Sequence, residues 1–550
     1  LLRILFPIAA MMSCLAAPLA SAQQSRLPDI GSSAGTLLGP VQQREYGKMM
    51  RAQLRHYDYT LDDPLLDGWM RGVGHRLAVH SDSPQRSFTF FWLKDRQINA
   101  FATLGGYVGM NAGLVLTAQS EAEVASVLAH EIAHVTQAHV LRSVERAQKD
   151  SIPILLAMLG AIAVAQSAGG NSSDDAAMAA MASAQGLMAQ RQIDYTRSNE
   201  SEADRIGIRT LDRAGYDPGA AAAMFQRMQT AFRANRGGDR ERTPDYLQTH
   251  PISATRIAEA KERAEQLGTD TVIASTSTAE GGTISERVPR PGSAVAIANA
   301  AGGSGNPLLP ANLQFDAIAA RGDSGQFPYA KERLRVLSAE TPSAAIREYE
   351  QIRRAGQLSA AQRYGLALAR VREGKGAEAM SELASLLSTD PDNLWLALAL
   401  SEAEARAGKP VQADARLTSL AERMPHHRAV ILTWAGILAE RNTPEAGRRA
   451  QAILRPLLAS SAEDPLFQAA FARANEIAGD PVRAGEAYAE AALLNGRPEQ
   501  ALVQLNTLKK RPDLDYYARA RIDARIAEIT PTVLELRRQG IRDEDLRRRD

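Results

Sequence analysis

The spacing of apolar residues changes character along the chain, and each change marks a part. Arg3 is followed by an apolar run, Ile4 to Ala20, that closes in Ala20-Ser21-Ala22 before the polar Gln23-Gln24. A basic start, an apolar centre and small residues at the exit describe a secretory signal peptide over residues 1–22. A membrane anchor is the competing reading, weakened because the run is barely long enough to span. Between Leu27 and Leu267 helical periods dominate, interrupted at Tyr107 to Leu116, a Gly-rich block that alternates imperfectly as a strand does. Residues 268–306 lose apolar periodicity and fill with Thr, Ser, Gly and Pro, the make-up of a flexible linker. Beyond it Ala, Leu, Glu and Arg prevail, so residues 307–540 are expected to be helical throughout, ahead of a charged tail at 541–550.

That second half repeats itself. Ala379, Leu383, Leu386 and Pro391 recur 34 positions later as Ala413, Leu417, Leu420 and Pro425, and Gly374 recurs as Gly408. This is the period of the tetratricopeptide unit, two antiparallel helices with small residues where they touch and proline after the second. A further copy keeps Leu454 but places Pro465 late, and a looser one follows Gly479-Asp480-Pro481. Stacked units form a concave surface suited to peptides and partner proteins. No side chain there suggests catalysis, and His426-His427 diverge too far to hold a metal alone.

Bulk composition narrows the setting. With 550 residues, 45% hydrophobic and 23% charged, the chain is a multi-domain globular protein rather than a disordered or polytopic membrane one. Lys plus Arg number 64 against 63 for Asp plus Glu, a formal charge of +1 that gives no field for gathering nucleic acid. The single cysteine, Cys14, lies in the leader, so the processed chain carries no thiol and suits an oxidising compartment without disulfides. A bacterial periplasm is the expected location.

The sharp chemical signal is His130-Glu131-Ile132-Ala133-His134. On a helix, His130 and His134 lie one turn apart on one face, where both imidazoles reach one Zn²⁺ while Glu131 stands beside the attacking water. Val124, Val127 and Leu128 supply the apolar face, and Glu121 and Glu123 favour a helix start. A third ligand must come from elsewhere. His139 is about 140° round the helix from His134 and is expected to face away. In the later segment Glu200, Ala203, Asp204 and Gly207 form one stripe. Glu200 suits the third ligand, Asp204 the acceptor for the second N–H of a ligating histidine, and the small residues a close helix contact. Glu202 points about 200° away and is expected at the surface near Arg205.

With Asn99-Ala100-Phe101, Gly105-Gly106-Tyr107-Val108, Gly215-Tyr216-Asp217-Pro218 and Thr249-His250-Pro251 followed by Arg256, these motifs resemble the peptidase family of the HtpX-like and CaaX-prenyl zinc proteases. The resemblance covers about Gln42 to Ala264. It implies a mainly α fold: a gluzincin-type metalloprotease domain over residues 27–267 with a small β-sheet, followed by an α-solenoid of tetratricopeptide repeats. Together with the leader and repeats it implies a periplasmic zinc endopeptidase that degrades misassembled outer-membrane proteins and assists their assembly, its repeats contacting the β-barrel assembly machinery. Thr103-Leu104 and Met110-Asn111-Ala112 depart from the commoner Leu-Pro and Val-Thr-Arg, which bears on substrate specificity.

Roles follow for the remaining candidates. Glu131 is the expected general base. Tyr107, Val108 and Gly109 are expected on a strand beside the metal that pairs with extended substrate, with Arg256 also at the substrate. Pro251 keeps His250 out of a helix, on a mobile loop that enters a helix over residues 253–264. The resemblance places that loop at the cleft, where His250 either fills the open zinc position or stabilises the oxyanion. The apolar run Ile152 to Ala165 and the methionines Met178, Met181 and Met188 are candidates for covering the site, touching membrane or holding unfolded clients. A second class of function stays open: a chaperone or adaptor whose proteolysis is latent.

Overall fold

The computed structural model describes residues 38–143, 145–146, 173–234, 246, 250–269, 271–277, 283–289, 323–538, 540 and 543. The expected signal peptide, the run at 152–165, the side chains of Met178, Met181 and Met188, and nearly all of the charged tail lie outside the described residues.

Helix α1 (Pro40–His56) and strand β1 (Thr60–Leu61) lead into α2 (Pro64–Val79). Asp63 caps α2 by accepting the Leu66 N–H at 3.0 Å, and Pro64 fits a first turn that needs no donor. Leu65, Leu66, Trp69, Met70, Val73 and Leu77 recur at helical spacing and are buried together. Strands β2 (Thr89–Leu93), β3 (Ala100–Thr103) and β4 (Tyr107–Asn111) complete a sheet ordered β1-β2-β4-β3, in which only β2 and β4 run parallel.

This order overturns the expected substrate strand. β4 has neighbours on both sides, so its backbone groups are already paired, and the edge strands are β1 and β3. Val108 is fully buried, and the Tyr107 ring lies against Gly47 of α1. Gly109 stands opposite Phe91 and Phe101, whose rings meet edge-on at 5.9 Å; a Cβ there would come within 2.8 Å of Phe101. Val108 and Gly109 are buried, and Tyr107 is only partly exposed. The strand also stops at Asn111, because Ala112, Leu114 and Val115 pack into the core from a short helix, α3 (Ala112–Thr117).

Helix α4 (Glu121–Thr136) begins where Ser120 Oγ accepts the Glu123 N–H at 3.2 Å. Both acidic residues of its first turn are buried: Glu121 receives Trp69 Nε1 at 2.8 Å and Tyr216 Oη at 3.0 Å, and Glu123 receives Arg227 at 2.9 Å. Helices α5 (Ser173–Arg213) and α6 (Gly219–Ala234) pack on α4, and α7 (Ala254–Thr269) packs on both of them. The segment expected to be unstructured linker instead contains an antiparallel pair, β5 (Thr271–Ser277) and β6 (Thr283–Pro289). The physical reason is composition: Thr, Val and Ile are strand formers even without an apolar period.

The repeat half is helical, as its composition predicts: α8 (Phe327–Leu337), α9 (Pro342–Ala355), α10 (Ala360–Arg372), α11 (Gly376–Thr389), α12 (Leu394–Arg406), α13 (Pro410–Arg423), α14 (Arg428–Arg441), α15 (Pro444–Leu454), α16 (Pro465–Ala478), α17 (Pro481–Leu494), α18 (Pro498–Lys509) and α19 (Tyr516–Arg538). The buried residues of α11 are Gly376, Ala379, Leu383 and Leu386, and those of α13 are Ala413, Leu417 and Leu420, the recurring set. Gly374 and Gly408 both adopt positive φ, 86° and 76°, at the turn between paired helices. A 3₁₀ turn at Arg455–Leu457 follows α15, and its added length is why Pro465 comes late.

The two halves are not separate bodies. One continuous core includes Trp69 and Trp92 together with Phe327, Leu334, Trp395 and Leu432. Buried Arg333 forks onto Asp63 at 2.7 and 2.9 Å, and Arg428 holds Asp67 at 2.9 Å. Among the described residues no helix is long and apolar enough to cross a membrane.

Candidate active site

Helical spacing on α4 brings His130 Nε2 and His134 Nε2 to 3.0 Å from each other. Glu200 arrives from α5, with Oε2 3.4 Å from His130 Nε2 and Oε1 3.3 Å from His134 Nε2. The approach is close because Ala203 and Gly207 line the contact; a Cβ on Gly207 would lie 3.1 Å from the His130 backbone. His250 Nδ1 completes the group, 3.3 Å from His130 Nε2 and 2.9 Å from Glu200 Oε1. Ligands about 2.0–2.1 Å from one tetrahedral ion stand roughly 3.3 Å apart, so these donors fit a single metal.

Charge points the same way. Glu131, Glu200 and Asp204 are all buried, and the permanent cation Arg256 contacts the last two. Buried carboxylates in that excess need further positive charge. Burial pushes the His134 ring down to about 3, which keeps it neutral and its lone pair free. His130 is also buried, but hydrogen bonds from its ring to Asp204 and Glu200 outweigh that and raise it to about 10. The same partners hold Glu200 far below the usual carboxylate range against its own burial. The cluster therefore creates a field that stabilises a cation at the two Nε2 atoms.

Each expected site residue has a definite place. His130 Nδ1 lies 2.9 Å from Asp204 Oδ1, which leaves Nε2 for a ligand's role. Glu131 is 1% exposed, and its Oε1 has no hydrogen-bond partner among the described residues; His250 Nε2 is 3.7 Å away. His250 is not on an open loop. It is buried, stacks on Tyr246 at 4.8 Å and donates its backbone N–H to Tyr246 O at 2.7 Å.

Three expectations are corrected. Arg256 does not face substrate: Nε and Nη2 donate to Asp204 at 2.7 and 2.8 Å, Nη1 donates to Pro251 O at 2.8 Å and lies 2.9 Å from Glu200, and Phe225 covers the guanidinium. Its donors are committed to two carboxylates and a backbone carbonyl. His139 does not face away, because α4 ends at Thr136 and Ala138 turns the chain at φ 53°, which voids the helical angle. Its Nδ1 lies 2.8 Å from His134 Nδ1. Glu202 is not a free surface carboxylate near Arg205; it takes His139 Nε2 at 3.0 Å and Arg142 at 2.7 Å.

A small pocket opens between His134 and edge strand β3, with Ala102, Leu104, Val135 and Leu141 on its apolar wall and Gln43 and Arg86 as polar lining.

Comparison with known proteins agrees with this geometry. Residues 64–264 match peptidase family M48, and residues 370–432 match the tetratricopeptide repeat. The chain is 30% identical to the beta-barrel assembly-enhancing protease of Escherichia coli (strain K12) over 523 residues, 95% of each chain. A Vibrio cholerae protein carrying the same protease name is 42% identical over 257 residues, 46% of this chain and 51% of that protein, about half its length. Mitochondrial metalloendopeptidase OMA1 of Arabidopsis thaliana is 26% identical over 213 residues, 38% of this chain and 39% of the relative.

Proposed function

The chain belongs to peptidase family M48, and from that premise we propose that it is a periplasmic zinc endopeptidase that removes misassembled outer-membrane proteins and assists their assembly. The observation that carries this reading is the convergence of His130, His134 and Glu200 beside Glu131, whose Oε1 has no hydrogen-bond partner among the described residues. The name of the Escherichia coli relative supports the assembly role, and the leader-like residues 1–22 support the periplasm. Unfolded outer-membrane proteins are the proposed clients, and the β-barrel assembly machinery the proposed partner of the repeats.

Two imidazoles and a carboxylate are donors of the number and kind that suit zinc in a catalytic site. When bound, the ion supplies Lewis acidity to water and to the scissile carbonyl. Glu131 takes the water proton at Oε1 and returns it to the leaving amine. Asp204 orients His130, and Arg256 holds Asp204 and Glu200 in place. Among the described residues no strand pairs with the outer edge of β3, Ala100–Thr103, which leaves it to an extended substrate, with the adjacent pocket taking a small side chain.

Replacing Glu131 with Gln tests the reading. Cleavage of an unfolded outer-membrane protein should cease while about one zinc per chain is retained, since the base is not a ligand. Full activity in that variant would remove Glu131 from the reaction. One observation favours the second reading, a chaperone or adaptor with latent proteolysis: His250 Nδ1 sits among the donors, where a fourth ligand would exclude water. Robust casein cleavage by the unmodified protein would argue against it.

A further inference from the structure

A histidine that gives Nε2 to a metal carries its hydrogen on Nδ1, and that hydrogen needs an acceptor which also fixes the plane of the ring. For His130 the acceptor is Asp204, backed by Arg256. For His134 the group in reach is His139, whose Nδ1 is 2.8 Å from His134 Nδ1. With His134 donating, His139 must accept at Nδ1 and therefore carry its own hydrogen on Nε2. That nitrogen lies 3.0 Å from Glu202 Oε2, an acceptor, and Arg142 Nη2 donates to the same oxygen at 2.7 Å. One tautomer of each ring satisfies His134 Nδ1 and both ring nitrogens of His139, and exchanging either leaves two hydrogens or two lone pairs facing each other. Both ligands thus end in a carboxylate and a guanidinium, directly for His130 and through a second imidazole for His134.

The backbone is bent to make this contact. Ala138 adopts φ 53°, a conformation that residues with a Cβ rarely hold, and it is this residue that brings His139 back under His134. His139 is 3% exposed, so it is spent inward rather than on solvent. From this geometry we infer that His139, held by Glu202, is the positioning residue of the second metal-binding histidine and sets the affinity of the site for its ion. The inference rests on the metalloprotease reading of His130, His134 and Glu200.

Metal affinity, measured on the metal-stripped full chain by competition for Zn²⁺ with a chromogenic chelator, is the test. His139→Leu fills the same space without an acceptor and should weaken binding about 10- to 100-fold. His139→Asn places Oδ1 where Nδ1 was and should restore most of that loss, though it gives up the link to Glu202. Glu202→Gln, on a partly exposed side chain, should weaken binding several-fold without touching the core. The visible spectrum of the Co²⁺-loaded protein should shift in His139→Leu and return toward the unmodified form in His139→Asn, which a packing defect would not do. His130→Ala is the control: retention of metal there overturns the metal site itself. Loss of metal in His130→Ala, with His139→Leu and Glu202→Gln both binding within twofold of the unmodified chain, overturns only the role of His139. Equal weakness of Leu and Asn at 139 with unchanged metal-free melting would likewise reject it.

Discussion

Arg256 shows how far a single side chain can determine a site. It stands between Asp204 and Glu200, each buried and each in contact with a histidine of the cluster. Arg256→Met would leave both carboxylates without their guanidinium, and breaking a buried pair in this way costs about 3–5 kcal/mol. Urea unfolding should show that loss, and saturating Zn²⁺ should restore part of it by supplying positive charge to the same carboxylates. His250 poses a sharper question at this scale. Its Nδ1 occupies the position of a fourth donor, so His250→Ala should raise basal cleavage of an unfolded substrate by opening that position to water. A fall of about two orders of magnitude would instead assign His250 to the oxyanion. Unchanged turnover and zinc affinity would remove it from both roles.

Among the elements, the repeat turns give a clean internal comparison. Gly408 adopts φ 76° between α12 and α13, and a Cβ there would meet no atom within 4 Å, so backbone strain alone penalises a side chain. Gly408→Ala should cost about 1 kcal/mol. Gly436 also has open space around it but lies inside α14 without positive φ, and Gly436→Ala should stabilise by about 0.5–1 kcal/mol through helix propensity. Opposite signs in thermal melting would confirm that conformation, not crowding, governs both positions. The next unit places Asn442 at φ 51° where the period puts glycine, the residue with a side chain that best tolerates that conformation. The repeat thus keeps the left-handed turn across units while the residue at it changes.

At the scale of the whole molecule, the join between the halves rests on a buried ion pair and a shared core. Asp63 caps α2 and also receives buried Arg333 from α8, which Tyr364 contacts at 3.3 Å. Arg333→Ala leaves that carboxylate buried and unpaired, at a cost of about 3–5 kcal/mol. Because Trp69, Phe327 and Trp395 share one core, calorimetry of the full chain should show one cooperative transition, and Arg333→Ala should lower it as a whole. Two resolved transitions, with only one moved by the substitution, would show that the halves fold independently. A fragment beginning near residue 310 should keep its helices yet expose the faces of Phe327 and Leu334 that now pack against the first half.

The sequence by itself determined the helices, the repeat and the core of the site, because each depends on short-range spacing. His130 and His134 share a face for any α-helix, Glu200 and Asp204 share one by the same rule, and the 34-residue period already contains the buried set of α11 and α13. The family motifs added the likeness that located His250. What only the tertiary structure decided depends on how distant segments meet. β4 lies inside the sheet because β2 and β3 flank it, and no alternation along β4 announces its neighbours. Arg256 faces inward because two carboxylates from α5 arrive beside it. The 268–306 segment reads as a divider, yet the halves it separates in sequence share a core, since apolar faces on α2 and α8 find each other whatever chain length lies between. His139 depended on a single backbone angle at Ala138: one left-handed residue rotates everything after it, and alanine gives no sign in sequence that it will take that conformation.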